Sequence, residues 1–291
     1  MNIKLFANSK QKFSNFLLLL PFFLLTILFV IIPLIIIFIK SFVVVSPADG
    51  GSGKLEDNWN FINGTLFAKI FLSIFIALIT AVLCLLIGYP FAYFLSLFKS
   101  GNYKIFCVYL ITSPIWLSFL VKLVGLKTLF DSIADKPNST YGHIFTIIAL
   151  VYMNLPLFIL TIYTYINLIP KNLLQASKDL GKNSVQTFFY VIVPYTKNQI
   201  ISSFMLVFLP SITVAGVSKF MNNSNDGKLL GDTVLDQGQA ALESKISLAR
   251  VSSLCLVICA VILVLFSIFV LIPKVIKAYK TNKGVKNVTK N

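Results

Sequence analysis

Six long apolar blocks, separated by polar or turn-rich segments, constrain this chain more than any other feature. A helix needs about 17 to 25 apolar residues to cross the roughly 30 Å hydrocarbon core of a membrane. Inside that core, only helix formation satisfies the backbone of a single segment. The blocks are Phe16–Ile39, Leu66–Phe98, Ile105–Val121, His143–Ile169, Asn198–Val217 and Val251–Ile272. The sequence therefore predicts an all-α membrane protein with six transmembrane helices.

The first block could be mistaken for a secretory signal peptide. Its length exceeds the usual signal-peptide core of about 7 to 15 residues, and no A-x-A-like cleavage site follows it. With 57% hydrophobic and 12% charged residues, the whole chain is also too apolar for a soluble domain of 291 residues. We therefore expect the first block to be an uncleaved span.

The distribution of positive charge predicts the topology. If the N-terminus is cytoplasmic, the inner segments carry 15 lysines against one acid, Asp179, and the remaining segments carry 10 cations and nine acids. Because Lys and Arg concentrate in cytoplasmic loops, we predict a multi-pass cell-membrane protein with both termini in the cytoplasm. Topology and contact with anionic membrane lipid then account for the net charge of +15, and no nucleic-acid partner is required.

The sequence carries no recognisable catalytic or metal-binding pattern. It contains no G-x-x-x-x-G-K-[ST] phosphate loop, no H-E-x-x-H and no G-x-S-x-G. Its one histidine and its four cysteines all lie in predicted spans, and Cys255 and Cys259, one helical turn apart, lack further ligands nearby. We predict no catalytic residue, no metal site and no cofactor in this chain.

The segment 168–194, between the fourth and fifth blocks, is ordered by its own sequence. Pro170 suits the start of a helix, and Gly181 suits the left-handed residue that ends one, so a short helix is expected over Lys171–Leu180. This helix should place small and apolar side chains on one face. They are Leu173, Ala176, Ser177 and Leu180.

A second helix is expected after Gly181. Asn183 or Ser184 can cap its N-terminus, and Pro194 interrupts it. Its shared face consists of Val185, Phe188, Phe189 and Ile192. The segment 168–194 is therefore predicted to be a helix, a sharp glycine turn and a helix.

The spacing of this segment resembles the Glu-Ala-Ala loop of inner-membrane permeases in ATP-binding-cassette (ABC) importers. The family pattern is Glu-Ala-Ala, three residues, Gly, nine residues, then Ile, any residue, Leu and Pro. This chain has Gln175-Ala176-Ser177, then Gly181, then Val191-Ile192-Val193-Pro194 at the same spacing. The departures are Gln for Glu, Ser for Ala, and Val for both Ile and Leu.

This resemblance implies a type I importer bundle with a cytoplasmic coupling helix that fits into a groove of a separate ATPase. The residues to which it assigns coupling are Leu173, Leu174, Gln175, Ala176, Ser177, Asp179, Leu180 and Gly181. The division that it implies is a cytoplasmic segment, first span and outer loop in 1–65, a permease core in 66–273, and a Lys-rich cytoplasmic tail in 274–291.

Three shorter pieces are similar to the spermidine/putrescine permeases within that family. They are the octapeptide Gly88–Leu95, the hexapeptide Val151–Pro156, and the Asp179-Leu180-Gly181 sequence with the Gln186-Thr187-Phe188 that follows it. The resemblance implies a polyamine importer permease, itself not an enzyme. It also implies four partners: ATPase subunits that bind the ATP, a second homologous permease, an extracellular substrate-binding protein and membrane lipid.

The substrate pathway is predicted from interrupted helices and polar groups within the spans. Pro210 breaks the fifth block, and a broken backbone is tolerated in a membrane only against protein or a water-filled cavity. Asn154 should face the bundle, either lining the pathway or bonding a neighbouring helix. The candidate pathway residues are Tyr152, Asn154, Pro210, Ser211 and Thr213.

Two questions stay open in the sequence. The outer acidic residues form either a surface for a cationic substrate or receptor, or an ordinary charged loop. They are Asp226, Asp232, Asp236 and Glu243. The function has alternatives too: an ABC permease for molybdate, sulfate or thiamine, or a transporter driven by an ion gradient. The lack of acids at the span centres argues against the last of these.

Overall fold

The computed structural model describes residues 19–44, 54–60, 62–98, 101–133, 139–222, 227–241 and 245–288. All of its regular elements over these ranges are helical. The predicted N-terminal cytoplasmic segment, much of the first outer loop, and the acids Asp226 and Glu243 lie outside the described residues. So do the lysine side chains of the C-terminal tail.

The main helices follow one another along the chain, and the short helical segments Leu55–Asn58 and Val193–Tyr195 lie between them. The main helices are α1 (Leu19–Phe42), α2 (Gly64–Leu97), α3 (Gly101–Trp116), α4 (Phe119–Ile133), α5 (Ser139–Asn167), α6 (Lys171–Asp179), α7 (Ser184–Thr187), α8 (Lys197–Thr213), α9 (Val217–Met221), α10 (Leu230–Ala241) and α11 (Lys245–Val288). A π-helical turn interrupts α1 at Ile27–Ile31, and a second one, Phe188–Ile192, follows α7.

Within the described ranges, four helices are long and apolar enough to cross a membrane, and they lie at Leu19–Phe42, Gly64–Leu97, Tyr141–Asn167 and Ser247–Phe269. The α3–α4 pair counts as a fifth span only if the two helices are taken together, because they meet at 94°. Helix α8 has 17 residues, at the lower limit for a span. The structure confirms an all-helical membrane protein but does not confirm the predicted count of six spans.

The third predicted span, Ile105–Val121, is a broken helix rather than a straight one. Helix α3 ends at Trp116, two residues after Pro114, and α4 begins at Phe119. Proline lacks an N–H and crowds the carbonyl one turn earlier, which favours a break close to this point. The Leu117 N–H still donates to the Pro114 carbonyl at 3.3 Å, which closes the last turn of α3.

The larger of two compact units comprises residues 62–236 and 264–291. Its core is formed by α2, α5 and α8, which pack closely because α2 presents small residues along one side. These are Ala77, Ala81, Cys84, Gly88 and Ala92, all buried. A Cβ on Gly88 would lie 2.7 Å from the Phe158 ring, so glycine is needed for this approach of α2 to α5.

The same unit has a second apolar cluster where α4, α5 and α9 meet. The rings of Phe130 and Phe145 stack there with centroids 4.4 Å apart. Leu123, Val217 and Met221 are buried around them. This cluster fixes the break between α8 and α9, at which the chain turns toward α10.

The other compact unit comprises residues 1–61 and 237–263. The Asn58 amide donates to the carbonyls of Ser41 and Val43, at 3.2 and 2.9 Å. The Ser253 hydroxyl donates to the Asn58 carbonyl at 2.6 Å, so the end of α1 and the start of α11 share one hydrogen-bonded link. The apolar side chains along the rest of α1 contact little else in the chain and are exposed, as expected for a helix that faces lipid.

Candidate functional site

The segment between α5 and α8 has the predicted shape of a helix, a glycine turn and a helix. Helix α6 begins after Pro170 and ends at Asp179, one residue short of the predicted end. Gly181 has φ +74°, a backbone conformation that L side chains rarely adopt. Its N–H donates to the Lys178 carbonyl at 2.8 Å and the Lys182 N–H donates to that of Ser177 at 3.1 Å, which closes the helix end.

The second helix of the segment begins at a capping box. The Asn183 carboxamide oxygen accepts the Gln186 N–H at 2.9 Å, and the Gln186 carboxamide oxygen accepts the Asn183 N–H at 3.1 Å. Asn183 is thus the cap, and Ser184 is the first helical residue. The helix is irregular ahead of Pro194 rather than at it: the π-helical turn Phe188–Ile192 widens the helix, and Pro194 lies in the short helix Val193–Tyr195 that follows.

Helix α6 turns most of its predicted coupling face outward. Leu173 is 42% exposed and Leu180 is 77% exposed. Ala176 between them is exposed as well, as are Gln175 and Asp179, while Leu174 is half-buried. Exposed apolar side chains that share one helix face make this face a candidate surface for a partner.

Ser177 differs from the rest of the predicted face because its side chain points inward. It is 3% exposed, and its hydroxyl lies 2.9 Å from the Thr187 hydroxyl. This contact fixes α6 against α7. In the structure Ser177 therefore supports the shape of the segment, and its side chain is covered by the chain itself.

Two tyrosines of the octapeptide on α2 hold the segment to the core. The Tyr89 hydroxyl lies 2.6 Å from the Thr196 hydroxyl, and the Tyr93 hydroxyl donates to the Ser184 carbonyl at 2.9 Å. Both rings pack on Phe188, with centroid distances of 5.1 and 4.9 Å. The sequence contained a signal for this contact, since two tyrosines four apart share one helix face, but it did not identify their partners.

The candidate pathway residues are only partly brought together. The Asn154 amide donates to the Leu150 carbonyl at 2.8 Å and to the Ser211 hydroxyl at 3.4 Å, which links α5 to α8. Ser211 is buried, and its hydroxyl donates to the Val207 carbonyl at 2.7 Å. This is the interhelical role that the sequence offered as one alternative for Asn154.

The other candidate pathway residues lie nearer the surface of the chain. Thr213 is half-buried, and its hydroxyl donates to the Pro210 carbonyl at 3.4 Å. Pro210 lies inside α8, which continues to Thr213, so the predicted break at this proline is wrong. Pro210 is exposed, and Tyr152 is 39% exposed. These side chains are therefore accessible on the surface of α5 and α8, where lipid, a partner or a substrate can contact them.

The outer acidic residues include one carboxylate that is fully buried. Asp232 accepts hydrogen bonds from the Gly216 N–H, the Ser218 hydroxyl and the Lys219 N–H, the last at 2.7 Å. The Ser218 hydroxyl in turn accepts the Leu229 N–H at 2.9 Å. Asp232 thus fixes the chain reversal between α8 and α10 and is not available to a cationic substrate.

Asp236 is neutralised by two lysines. Its two carboxylate oxygens lie 2.8 Å from the ammonium groups of Lys219 and Lys228. The hydrogen bond from Lys219, and then that from Lys228, lower the pKa of Asp236, and the same contact raises the pKa of Lys219. The two acids of this cluster that the structure describes are therefore satisfied within the chain, as in the ordinary charged loop that the sequence left as one possibility.

Over the described ranges, no group of three or more His, Cys, Asp or Glu side chains is placed to hold a metal ion. Cys84, Cys107, Cys255 and Cys259 are free thiols.

Comparison with known proteins gives a consistent result. Residues 104–277, more than half of the chain, match the family described as binding-protein-dependent transport system inner membrane components. A spermidine/putrescine transport system permease protein PotB homolog of Mycoplasma genitalium is 32% identical over 268 residues, covering 89% of this chain and 93% of the relative. The spermidine/putrescine transport system permease protein PotB of Escherichia coli K12 is 30% identical over 225 residues, covering 72% and 80%.

Solved structures show the same fold. A chain from the crystal structure of a bacterial ABC transporter involved in the import of the acidic polysaccharide alginate aligns with a TM-score of 0.62 at 16% identity, over 92% of this chain and 97% of that one. A chain of bacterial alginate ABC transporter in complex with alginate pentasaccharide-bound periplasmic protein aligns with a TM-score of 0.61 at 13% identity, over 90% and 94%.

Proposed function

The chain belongs to the family of binding-protein-dependent transport system inner membrane components, and on that premise we propose that it forms the pathway of a spermidine/putrescine importer. It is a multi-pass membrane permease of an ABC importer. The polyamine assignment is supported by relatives named as spermidine/putrescine permeases at 30% to 32% identity. Because Asp232 is enclosed by the chain, the charge that recognises a polyamine is expected on the receptor, on a second permease or elsewhere in the pathway.

The proposed mechanism rests on how α6 is held: one face is exposed, and the segment behind the helix is fixed to α2. The helix exposes Leu173, Ala176 and Leu180, and the segment behind it is anchored to α2 through Tyr89 and Tyr93. A groove of an ATPase can therefore cover the exposed face without disturbing the anchored one. The coupling role of Leu174, Gln175, Ser177, Asp179 and Gly181 is part of the same proposal.

Motion of α6 has a direct physical route into the spans. The rings of Tyr89, Tyr93 and Phe188 pack as one group, and α2 packs along α5 and α8. When two ATPase subunits close on ATP, displacement of α6 moves the adjoining end of α2. The pathway then switches between inward-facing and outward-facing states, because the closed pair of ATPase subunits binds one of those states more tightly than the other. Tyr152, Asn154, Pro210, Ser211 and Thr213 are proposed to lie along it.

The remaining partners follow from the same proposal. A second homologous permease completes the pore, an extracellular substrate-binding protein delivers the polyamine, and lipid covers the outer helices. ATP is bound by the ATPase, while this chain carries no cofactor and catalyses no reaction. Both termini are proposed to be cytoplasmic, which places α6 on the side of the ATPase.

The experiment is uptake of labelled spermidine and putrescine into vesicles that contain this chain with its ATPase, receptor and second permease. Wild type is compared with Gly181→Pro, which removes the N–H bonded to Lys178 and cannot adopt φ +74°. Gly125→Ala is the control, because a Cβ there meets no atom within 4 Å. We expect ATP-dependent uptake that survives collapse of the ion gradient, is lost in Gly181→Pro and persists in Gly125→Ala.

Other outcomes would separate the mechanism from the substrate. Uptake that follows the ion gradient and ignores ATP would contradict the importer mechanism. ATP-driven uptake of molybdate, sulfate or thiamine, without polyamine uptake, would leave the coupling proposal standing and remove the polyamine assignment.

A further inference from the structure

An open cavity of about 740 Å³ lies behind α6, between that helix and the ends of three longer helices. Its walls come from the end of α2, the start of α3, the end of α5 and the α6–α7 segment. Leu97, Phe98 and Ile169 contribute apolar surface, and the first two are about half exposed. A cavity at the ends of spanning helices lies at the level of the membrane interface.

Among the described residues that line this cavity are four lysines, Lys104, Lys171, Lys178 and Lys182, and none of these described lining residues carries a carboxylate. The ion pairs found over the described residues join Lys127 to Asp131 and two lysines to Asp236, all of them elsewhere. The Lys104 ammonium donates to the Asn167 side chain at 3.0 Å, and that of Lys182 lies 4.9 Å from the Tyr190 ring centroid. The site therefore concentrates positive charge that no acidic side chain of its lining neutralises.

The cavity and the exposed apolar face lie on opposite sides of α6. Lys171, Leu174 and Lys178 line the cavity at three- and four-residue spacing. Leu173, Ala176 and Leu180 repeat that spacing two positions later. Two positions correspond to a rotation of about 200° on a helix with 3.6 residues per turn. A protein seated on the exposed face therefore approaches α6 from the side away from the lysines.

We propose that this cavity binds the headgroup of an anionic phospholipid. The lysine ammonium groups suit a phosphate, and Asn167, Asn183 and Ser184 offer further polar contacts. The apolar walls accept the first carbons of the acyl chains, which a free phosphate or nucleotide lacks. The two-sided arrangement of α6 favours a lipid over an acidic surface of the ATPase, since the ATPase is expected on the other face.

This inference goes beyond the proposed transport function and rests on it in one respect, the expectation that the ATPase covers the exposed face of α6. Binding of lipid is a property of the permease chain, so it can be measured in the absence of ATPase, receptor and substrate. Transport can fail while the lipid site stands, and the reverse also holds.

The experiment measures apparent dissociation constants for phosphatidylglycerol and phosphatidylcholine on the purified full-length chain in detergent by native mass spectrometry. Wild type is compared with Lys171→Gln/Lys178→Gln. The matched control is Lys40→Gln/Lys197→Gln, which removes two exposed lysines that are absent from the cavity lining. We expect about tenfold weaker binding of phosphatidylglycerol in the cavity variant, a change of less than about twofold in the control, and weak binding of phosphatidylcholine throughout.

A photoactivatable phosphatidylglycerol gives a second measurement that does not depend on a variant. It should label peptides from the end of α2 and from α6, and excess phosphatidylglycerol should suppress the labelling while inorganic phosphate does not. Equal affinity for the two lipids, or for the two double variants, would overturn the proposal. Competition by millimolar inorganic phosphate alone would assign a soluble anion to the cavity. A cavity variant that keeps lipid affinity but no longer copurifies with its ATPase would assign the lysines to the protein partner.

Discussion

The two ends of α2 differ in whether the charged side chains near them are enclosed by the chain or open to a cavity. Near its beginning, the buried Ser73 hydroxyl accepts the Leu230 N–H at 2.8 Å, beside a segment in which Asp232 is fully enclosed by donors. Near its other end, Tyr93 holds a segment whose lysines surround an open cavity. Ser73 and Tyr93 are 20 positions apart, or about 30 Å along a helix, which is the thickness of the hydrocarbon core.

The difference shows which end is built to stay in place. Gly231 leaves no room for a Cβ, which would lie 2.6 Å from the Thr213 carbonyl oxygen, so α10 is fixed against the end of α8. At the other end, Gly181 has open space around it, α6 is joined to α7 by the hydroxyl pair of Ser177 and Thr187, and the segment behind α6 is held to α2 by ring contacts. The helix bundle therefore has one end fixed by the close contact of α10 with α8 and another end where α6 is held by few contacts. Such a bundle can be moved by a force applied at the α6 end.

The largest effect is expected at the enclosed end, for Asp232→Ala. Removing this carboxylate leaves the N–H groups of Gly216 and Lys219 and the Ser218 hydroxyl without an acceptor in a buried place. Each unsatisfied buried donor costs about 1 to 3 kcal/mol, so the free energy of unfolding should fall by about 3 kcal/mol or more. Thermal unfolding of the purified protein in detergent measures this loss.

Asp236→Ala is the matched control, since it removes the same group from the same helix at a more exposed site. A comparable loss of stability in both variants would show that burial of Asp232 is not what distinguishes the two ends. Asp232→Asn should be intermediate, because an amide keeps one acceptor but places an NH₂ group against a donor.

The second largest effect is expected near the other end of α2, for Gly181→Ala. The space around Gly181 is open, so the cost arises only from the left-handed backbone and should be about 1 kcal/mol. The melting temperature should change by only a few degrees, while ATP-driven uptake falls severalfold because the angle between α6 and α7 changes. Gly125→Ala adds the same methyl group in a helix and should preserve both quantities. Loss of global stability comparable to that in Asp232→Ala would remove the distinction between a fixed and a lightly held end.

The sequence predicted the lightly held end well because its determinants are local. Pro170, Gly181 and the Asn183 cap act over three or four residues, and the helix, turn and helix are where these residues predict them. What spacing on α6 could not supply was the inward position of Ser177. That depends on Thr187, ten residues later, and therefore on how α7 folds back.

The enclosed end was much less predictable because its determinants are distant in sequence. Asp232 and Asp236 belong to one acidic cluster in the sequence, yet one is fully enclosed and the other is paired with lysines near the surface. The partners of Asp232 lie 13 to 16 positions away, at a helix break. Hydropathy likewise identified the third apolar block but could not show that α3 and α4 meet at 94° within it.

A smaller effect is expected from Ser177→Ala, which removes the hydroxyl pair between α6 and α7. A single neutral hydrogen bond contributes about 1 kcal/mol, and the partner hydroxyl of Thr187 would be left buried. Uptake should fall about two- to fivefold with little change in the melting temperature. Thr187→Val, which keeps the shape and removes the other hydroxyl, should restore part of the loss when combined with Ser177→Ala. Additive losses in the double variant would show that the two hydroxyls act independently.

The smallest effect is a pH dependence at Asp236, where charge is exposed enough for solvent to screen it. Lys219 and Lys228 lower the pKa of this carboxyl in the folded state, so its stabilising contribution is present above the ordinary carboxyl pKa near about 4 and is lost as pH falls through the lowered folded value. The melting temperature of wild type should exceed that of Asp236→Asn by about 1 to 3 °C at pH 7, and the two should converge below about pH 4. High salt should reduce the gap at pH 7. A gap that is unchanged down to pH 3 would mean that the ion pairs contribute nothing and that Asp236 acts through packing alone.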